Sequence, residues 1–198
     1  EAVRKFLEKH GVYDFKKSDK IWSKIEKLAS TGKISVREVQ ERWLQGVGLS
    51  KDLVDEWMEV DKKEIWRKFR KTPGINRLLK KLKKEYILVV LSDTIDSKQE
   101  KIEKMEIVGV DPRMFDEIFT SHDLGAHKPS KKAFWTVLEK FNVKPKEALF
   151  ISDACDELKG AKKLGLVTIG IKCGCGDHNV KKLDEIGKIL QKLNQPSL

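Results

Sequence analysis

The sequence contains few cysteines, and their arrangement argues against a secreted disulfide scaffold. Its three cysteines, Cys155, Cys173 and Cys175, cannot all pair within one chain, whereas small secreted domains rely on several disulfide bonds. Cys173 and Cys175 lack the spacing of a zinc site and have no second ligand pair nearby, although His178 lies close in sequence. We therefore expect a reduced loop here rather than a metal site.

Long apolar runs are also absent. No window approaches the roughly 18 unbroken apolar residues that span a membrane. The first segment, EAVRKFLEKHG, lacks the apolar centre of a signal peptide. These absences predict a cytoplasmic protein with no membrane partner. The sequence does not begin with methionine, and we expect it to be incomplete at that end.

Charge of one sign is in excess. Lys and Arg number 41 against 31 Asp and Glu, which gives a net charge of +10. The lysines alternate with glutamates at helical spacing, as in KIEKL, LKKLKKE and EKIEKME, which is typical of solvated helix faces. No basic motif with interleaved aromatic residues accompanies them, so nucleic acid is not the expected partner. The abundance of Lys and Glu with little Asn and Gln resembles a thermophile's surface.

Residues 1–72 have the apolar periodicity of helices. One stripe ends before Gly11, Ser18 is expected to cap a second helix, Ser35 begins a third with a capping-box pattern, and Ser50 begins a fourth. Four tryptophans recur at helical spacing, a pattern more typical of a packed seam than of an aromatic binding surface. They are Trp22, Trp43, Trp57 and Trp66.

After Thr72-Pro73-Gly74, apolar strand-like runs alternate with amphipathic helices. Strands are predicted in YILVVLS, FDEIFTS, ALFIS and LVTIGI, and helices between them and near 180–193. This alternation is the signature of a doubly wound α/β fold with a parallel sheet. The sequence therefore predicts two domains, a helical one over 1–72 and an α/β core over 73–198.

Polar residues follow the predicted strands where the strands end. Ser92 and Asp93 follow LVVL, Asp153 follows LFIS with Asp156 and Glu157 behind it, and Lys128 lies in the loop after FDEIFTS. Ligands bind at the carboxyl ends of parallel strands. A hydroxyl, a cation and carboxylates converging there suit a phosphate with Mg²⁺. Taken singly, the same residues are ordinary helix caps, surface lysines and helix N-terminal acids.

These residues carry a family resemblance. Ser92, Lys128 in GAHKPSKKAFW and Asp153 in SDACDELKGAKKLGL resemble the second, third and fourth motifs of the haloacid dehalogenase-like hydrolase superfamily. The resemblance covers about residues 73–171. The preceding helical region resembles the cap that many phosphatases of this superfamily insert between the first and second motifs.

The resemblance implies a Mg²⁺-dependent phosphatase that acts on a small phosphorylated metabolite through an aspartyl-phosphate. Ser92 would bind the phosphoryl group, with Asp93 beside it, and Lys128 would bridge nucleophile and phosphate. Asp153 would hold Mg²⁺, and Glu157 or Asp156 would support the metal. Dehalogenase members tend to have Ser and Asn where this chain has Asp153 and Ala154, so a dehalogenase is the less favoured reading.

The superfamily's first motif, Asp-x-Asp, occurs nowhere in the 198 residues. In the superfamily it lies on a central strand between the strands corresponding to LVVLS and LFIS. We therefore expect the nucleophile upstream of Glu1, on a segment that the sequence does not include. The alternative is a non-catalytic module that binds phosphate or a partner without the nucleophile.

Overall fold

The computed structural model describes residues 1–193. Its first part is helical, as the periodicity predicts. The helices are α1 (Ala2–Lys9), α2 (Phe15–Ala29), α3 (Val36–Gly46) and α4 (Val54–Val60), with 3₁₀ turns at Lys51–Leu53 and Trp66–Lys68 and a π-helical turn at Asp61–Ile65. Ser35 caps α3, as expected, by accepting a hydrogen bond from the backbone N–H of Glu38. The reciprocal bond of the expected capping box is not made, because Oε1 of Glu38 accepts from Arg42 instead. Ser50 caps the Lys51–Leu53 turn in the same way.

The predicted start of the second helix at Ser18 is wrong. Asp14 caps α2 by accepting a hydrogen bond from the backbone N–H of Lys17 at 2.9 Å. Ser18 lies inside the helix, 2% exposed, where its hydroxyl accepts a hydrogen bond from Nε1 of Trp43 at 3.0 Å. A buried indole N–H needs an acceptor, so Ser18 serves packing rather than capping.

Three of the four tryptophans form a packed seam, as expected. Trp43 is 2% and Trp57 3% exposed, with ring centroids 4.9 Å apart. Trp22 meets Trp43 edge to face at 6.4 Å. Nε1 of Trp57 donates to Gln40 at 2.7 Å. Two of the four tryptophans are thus at the centre of the helical core.

The rest of the described chain alternates helices and strands. The elements are α5 (Ile75–Leu82), β1 (Val89–Ser92), α6 (Lys98–Ile107), β2 (Glu117–Thr120), α7 (Ser121–Leu124), α8 (Lys131–Lys140), β3 (Leu149–Ser152), α9 (Cys155–Lys163), β4 (Val167–Ile171), β5 (His178–Val180) and α10 (Asp184–Leu193). The expected α/β class is confirmed. The predicted helix from Val180 is wrong at its start, because Val180 ends β5 and α10 begins only at Asp184.

The strands form two sheets. β1 pairs with β2, and β3, β4 and β5 form a parallel sheet in that order. Its register places Ser152 beside Gly170, so the ends of β3 and β4 lie at one edge. β1 and β3 are not paired with each other, and every residue of both strands is half-buried.

Backbone proximity divides the chain into two compact units. The first comprises Glu1–Lys71, Ser92–Pro112 and Thr120–Gly125, and the second comprises Thr72–Leu91, Arg113–Phe119 and the chain from Ala126 onward. The two-domain boundary near residue 72 stays a prediction. Within the described residues, no helix is both long and apolar enough to cross a membrane.

Candidate active site

Lys128 is the most buried of the candidate site residues. Lys128 is 8% exposed, and its Nζ donates a hydrogen bond to the backbone carbonyl of Leu91 at 3.0 Å. Oε1 of Glu157 lies 3.5 Å from the same nitrogen. A buried ammonium group requires such partners, because desolvation without them is costly. Lys128 is therefore held at the end of β1, bonded to the residue that precedes Ser92.

Glu157 lies in the first turn of α9, where the chain leaves β3. Its Oε2 accepts a hydrogen bond from the hydroxyl of Ser152 at 2.7 Å, and the same hydroxyl accepts one from the N–H of Ala154 at 3.1 Å. The structure thus brings Lys128 and Glu157 together around the turn that carries Asp153. Glu157 is thus held by its contacts with Ser152 and Lys128.

Asp153 and Asp156 are both exposed. Their carboxylates do not gather with that of Glu157, since the one group of three or more metal-ligating side chains within residues 1–193 consists of cysteines. Mg²⁺ binds proteins through one or two carboxylates plus substrate phosphates. An exposed carboxylate at the end of β3 suits that chemistry, so Asp153 fits a Mg²⁺ ligand. The metal-binding roles of Asp153, Asp156 and Glu157 stay predictions.

Ser92 and Asp93 lie in the first unit, at the end of β1. Ser92 does not cap the next helix, because Ser97 caps α6 with a reciprocal bond to Glu100. The loop after Asp93 is held by the hydroxyl of Ser121, which accepts from the N–H of Thr94 and donates to its carbonyl, both at 3.0 Å. Ser92 is thus available for another role.

A buried carboxylate that the sequence reasoning missed supports the same loop. Asp96 is 3% exposed and accepts from the hydroxyl of Thr94 and from Nζ of Lys104, each at 2.7 Å. Its position, two residues after Thr94 and directly before the Ser97 cap, is the signal that could have found it. Asp96 stiffens the loop that follows Ser92.

The expectation of a reduced cysteine loop is wrong in part. Cys155, the first residue of α9, forms a disulfide bond with Cys175, and Cys173 is a free, half-buried thiol. The three sulfur atoms lie within 4.8 Å of one another. The register of β3 and β4 explains why these cysteines are close. Ser152 pairs with Gly170, and Cys155 and Cys173 each lie three residues beyond one member of that pair.

Asp177 holds the loop between β4 and β5. It accepts hydrogen bonds from Nζ of Lys162 at 2.7 Å and from the hydroxyl and N–H of Thr168 at 2.7 and 3.0 Å. These bonds, that of Lys162 first, lower the pKa of the Asp177 carboxyl to about 2. The cysteine loop is thereby anchored to β4 and α9.

A comparison with known families identifies the family of the chain. The chain belongs to the haloacid dehalogenase-like hydrolase family, whose model matches residues 2–171. The resemblance expected from Ser92, Lys128 and Asp153 is therefore confirmed at the level of the family.

Individual relatives extend the comparison. The chain is similar to a glyceraldehyde 3-phosphate phosphatase of Pyrococcus furiosus, 31% identical over 139 residues that cover 63% of this chain and 56% of the relative. A 2-haloacid dehalogenase of Pseudomonas syringae shares its fold, with 20% identity, a TM-score of 0.76, and coverage of 97% and 89%. An enzyme of Bacteroides thetaiotaomicron solved with magnesium and inorganic phosphate has 24% identity, a TM-score of 0.59 and 74% coverage of both chains. The chain spans about half the length of the curated relatives it matches.

Proposed function

We propose that this protein is a Mg²⁺-dependent phosphatase of small phosphorylated metabolites. The observation that carries the proposal is the buried Lys128, whose Nζ lies 3.0 Å from the carbonyl of Leu91 and 3.5 Å from Glu157. A cation fixed where a strand ends is suited to neutralise a phosphoryl group. The similarity to curated phosphatases supports the same chemistry.

Each residue has a distinct part in this proposal. The hydroxyl of Ser92 donates a hydrogen bond to a phosphoryl oxygen, and Nζ of Lys128 neutralises its charge. Asp153 holds Mg²⁺, which when bound stabilises the negative charge that develops on the phosphoryl oxygens. Glu157 orients Lys128, Asp93 would assist Ser92 in binding the substrate, and Asp156 would support the metal.

The nucleophile in this proposal is an aspartate outside the 198 residues, upstream of Glu1. Two features favour such an arrangement. The sequence has no Asp-x-Asp, and β1 and β3 each pair with a neighbour on one side but not with each other. A strand inserted between β1 and β3 would pair with both of them, and its aspartate would then lie beside Lys128.

The relatives suggest the substrate class. Curated relatives are described as glyceraldehyde 3-phosphate and phosphoglycolate phosphatases, and both of those substrates are three- or two-carbon phosphate monoesters. We propose a substrate of this size.

Two alternatives rest on specific observations. The lack of Asp-x-Asp favours a non-catalytic phosphate-binding or interaction module. A haloacid dehalogenase is suggested only by shared fold, at 20% identity, and Asp153 and Ala154 stand where dehalogenases tend to carry Ser and Asn.

The test is hydrolysis of p-nitrophenyl phosphate, glyceraldehyde 3-phosphate and phosphoglycolate with Mg²⁺ by the gene product with any residues encoded upstream of Glu1. We expect Asp153→Asn and Ser92→Ala to reduce turnover on the order of 100-fold. The matched control is Asp184→Asn, an exposed acid in the first turn of α10, which should retain activity. Full activity of Asp153→Asn would refute the metal role, and release of halide from 2-haloacids without phosphatase activity would favour the dehalogenase.

A further inference from the structure

The three cysteines form one cluster directly behind the turn that carries Asp153. Cys155 begins α9, two residues after Asp153, whereas Cys173 and Cys175 lie between β4 and β5. The Cys155–Cys175 bond, with Cα atoms 5.3 Å apart, ties the β3–α9 turn to the β4–β5 loop. Breaking that bond would free the turn from the loop.

The free thiol of Cys173 lies next to this disulfide. Its sulfur is within 4.8 Å of the sulfurs of both Cys155 and Cys175. Gly170 leaves room for it, because a methyl group there would stand 2.9 Å from the Cys173 sulfur. Thiol–disulfide exchange requires a thiolate with access to a disulfide sulfur, and the cluster provides both within one loop.

The backbone of the loop also suits the product of exchange. The carbonyl oxygen of Cys173 lies 3.3 Å from the sulfur of Cys175 and 3.8 Å from that of Cys155. A disulfide sulfur carries no hydrogen and makes no use of this acceptor, whereas a released Cys155 thiol would donate to it. Gly174 between the two loop cysteines has φ of 72°, a conformation that glycine adopts without steric cost and that folds the tripeptide back on itself.

We propose that Cys155, Cys173 and Cys175 form a thiol–disulfide exchange site that tethers or releases the turn carrying Asp153. In the exchange, the thiolate of Cys173 attacks the sulfur of Cys175. The Cys155–Cys175 bond breaks as the Cys173–Cys175 bond forms, and the proton lost by Cys173 passes to Cys155. One disulfide replaces another, so the step needs no external oxidant or reductant.

The connectivity can be measured without any substrate, so its outcome is independent of the proposed phosphatase function. The oxidised protein is equilibrated at pH 8, alkylated with N-ethylmaleimide, quenched in acid and digested with trypsin without reduction. Cleavage after lysine separates Cys155, in residues 147–159, from Cys173 and Cys175, in residues 173–181. Mass spectrometry then identifies which cysteine carries the label.

We expect two species. The tethered form gives both peptides joined by a disulfide with the label on Cys173. The exchanged form gives an unlinked 147–159 peptide labelled on Cys155, in more than about 1% of the protein. Cys173→Ser is the matched control and should give no labelled 147–159 peptide. Label on Cys173 alone in the wild type would overturn the proposal, as would purified protein that holds one zinc ion per chain on three reduced cysteines.

Release of the turn has its own readout. Cys155→Ser leaves Cys173 and Cys175 to pair and mimics the exchanged form, whereas Cys173→Ser holds the tethered form. We expect amide hydrogen exchange across residues 152–157 to be about 10-fold faster in Cys155→Ser than in Cys173→Ser. Equal rates in the two variants would show that the bond does not restrain the turn.

Discussion

Replacing Lys128 with methionine tests whether its cation holds the site together. Methionine keeps most of the apolar stem and removes the charge. The substitution takes away the bond from Nζ to the carbonyl of Leu91, at 3.0 Å. It also leaves Glu157 without the ammonium group 3.5 Å away. We therefore expect Lys128→Met to destabilise the protein.

The magnitude follows from these two contacts. A hydrogen bond from a charged donor contributes about 1.5–3 kcal/mol. Loss of one partner of a fully buried ion pair costs about 3–5 kcal/mol, and relief of the lysine's own desolvation opposes it. The Glu157 side chain is 19% exposed, so water replaces part of the lost interaction. The expected net loss is about 2 kcal/mol of unfolding free energy.

Urea unfolding measures this loss. With a slope of about 2 kcal/mol per molar urea, the midpoint should fall by about 1 M with an unchanged slope. The matched control, Lys132→Met, replaces an exposed lysine in the first turn of α8, four residues further along the chain, and should change stability by less than about 0.5 kcal/mol. The double variant Lys128→Met with Glu157→Gln should recover about 1 kcal/mol. If Lys128→Met were as stable as Lys132→Met, or more stable, the assigned role of the cation would be wrong.

Three further predictions concern other parts of the molecule. Ser18→Ala leaves the buried indole N–H of Trp43 without its acceptor and should cost about 2 kcal/mol in urea unfolding; no loss would contradict the assigned bond. The pKa of Asp177 lies near 2, below its usual 3.8, so its stabilisation is present above about pH 4 and lost as the pH falls towards 2. Asp177→Asn should therefore lose less stability than the wild type between about pH 4 and pH 2. Equal acid-unfolding profiles for the two proteins would refute this role of Asp177. Reduction of the Cys155–Cys175 bond, which closes a separation of 20 residues, should cost about 3 kcal/mol, and an unchanged thermal midpoint after reduction would contradict this estimate.

Local patterns in the sequence were enough for most of the elements. α6 lies between two predicted strands, as expected, and it begins at Lys98 because Ser97 and Glu100 form a reciprocal cap, which is a local signal. β5 was missed because it has three residues, His178–Val180, and no apolar run. Its strand conformation depends on parallel pairing with β4 and on the Asp177–Thr168 bonds, which join residues nine positions apart across the intervening loop.

The candidate site was likewise predictable only in part. The positions of Ser92, Lys128 and Asp153 after strands could be predicted from the sequence, because apolar runs predict strands. The ion pair of Lys128 with Glu157 and the disulfide of Cys155 with Cys175 could not, because each needs the register of β3 against its neighbours. Asp96 was overlooked because a single acid before a helix cap looks like a surface residue.

We propose that these 198 residues supply the phosphate- and metal-binding groups of a phosphatase but not its nucleophile. The direct test compares phosphate release from p-nitrophenyl phosphate with Mg²⁺ by two proteins, the 198-residue chain and the gene product with any residues encoded upstream of Glu1. We predict turnover by the longer protein and none by the 198-residue chain. Equal turnover by both would place the nucleophile within these residues, and no turnover by either would contradict the phosphatase assignment.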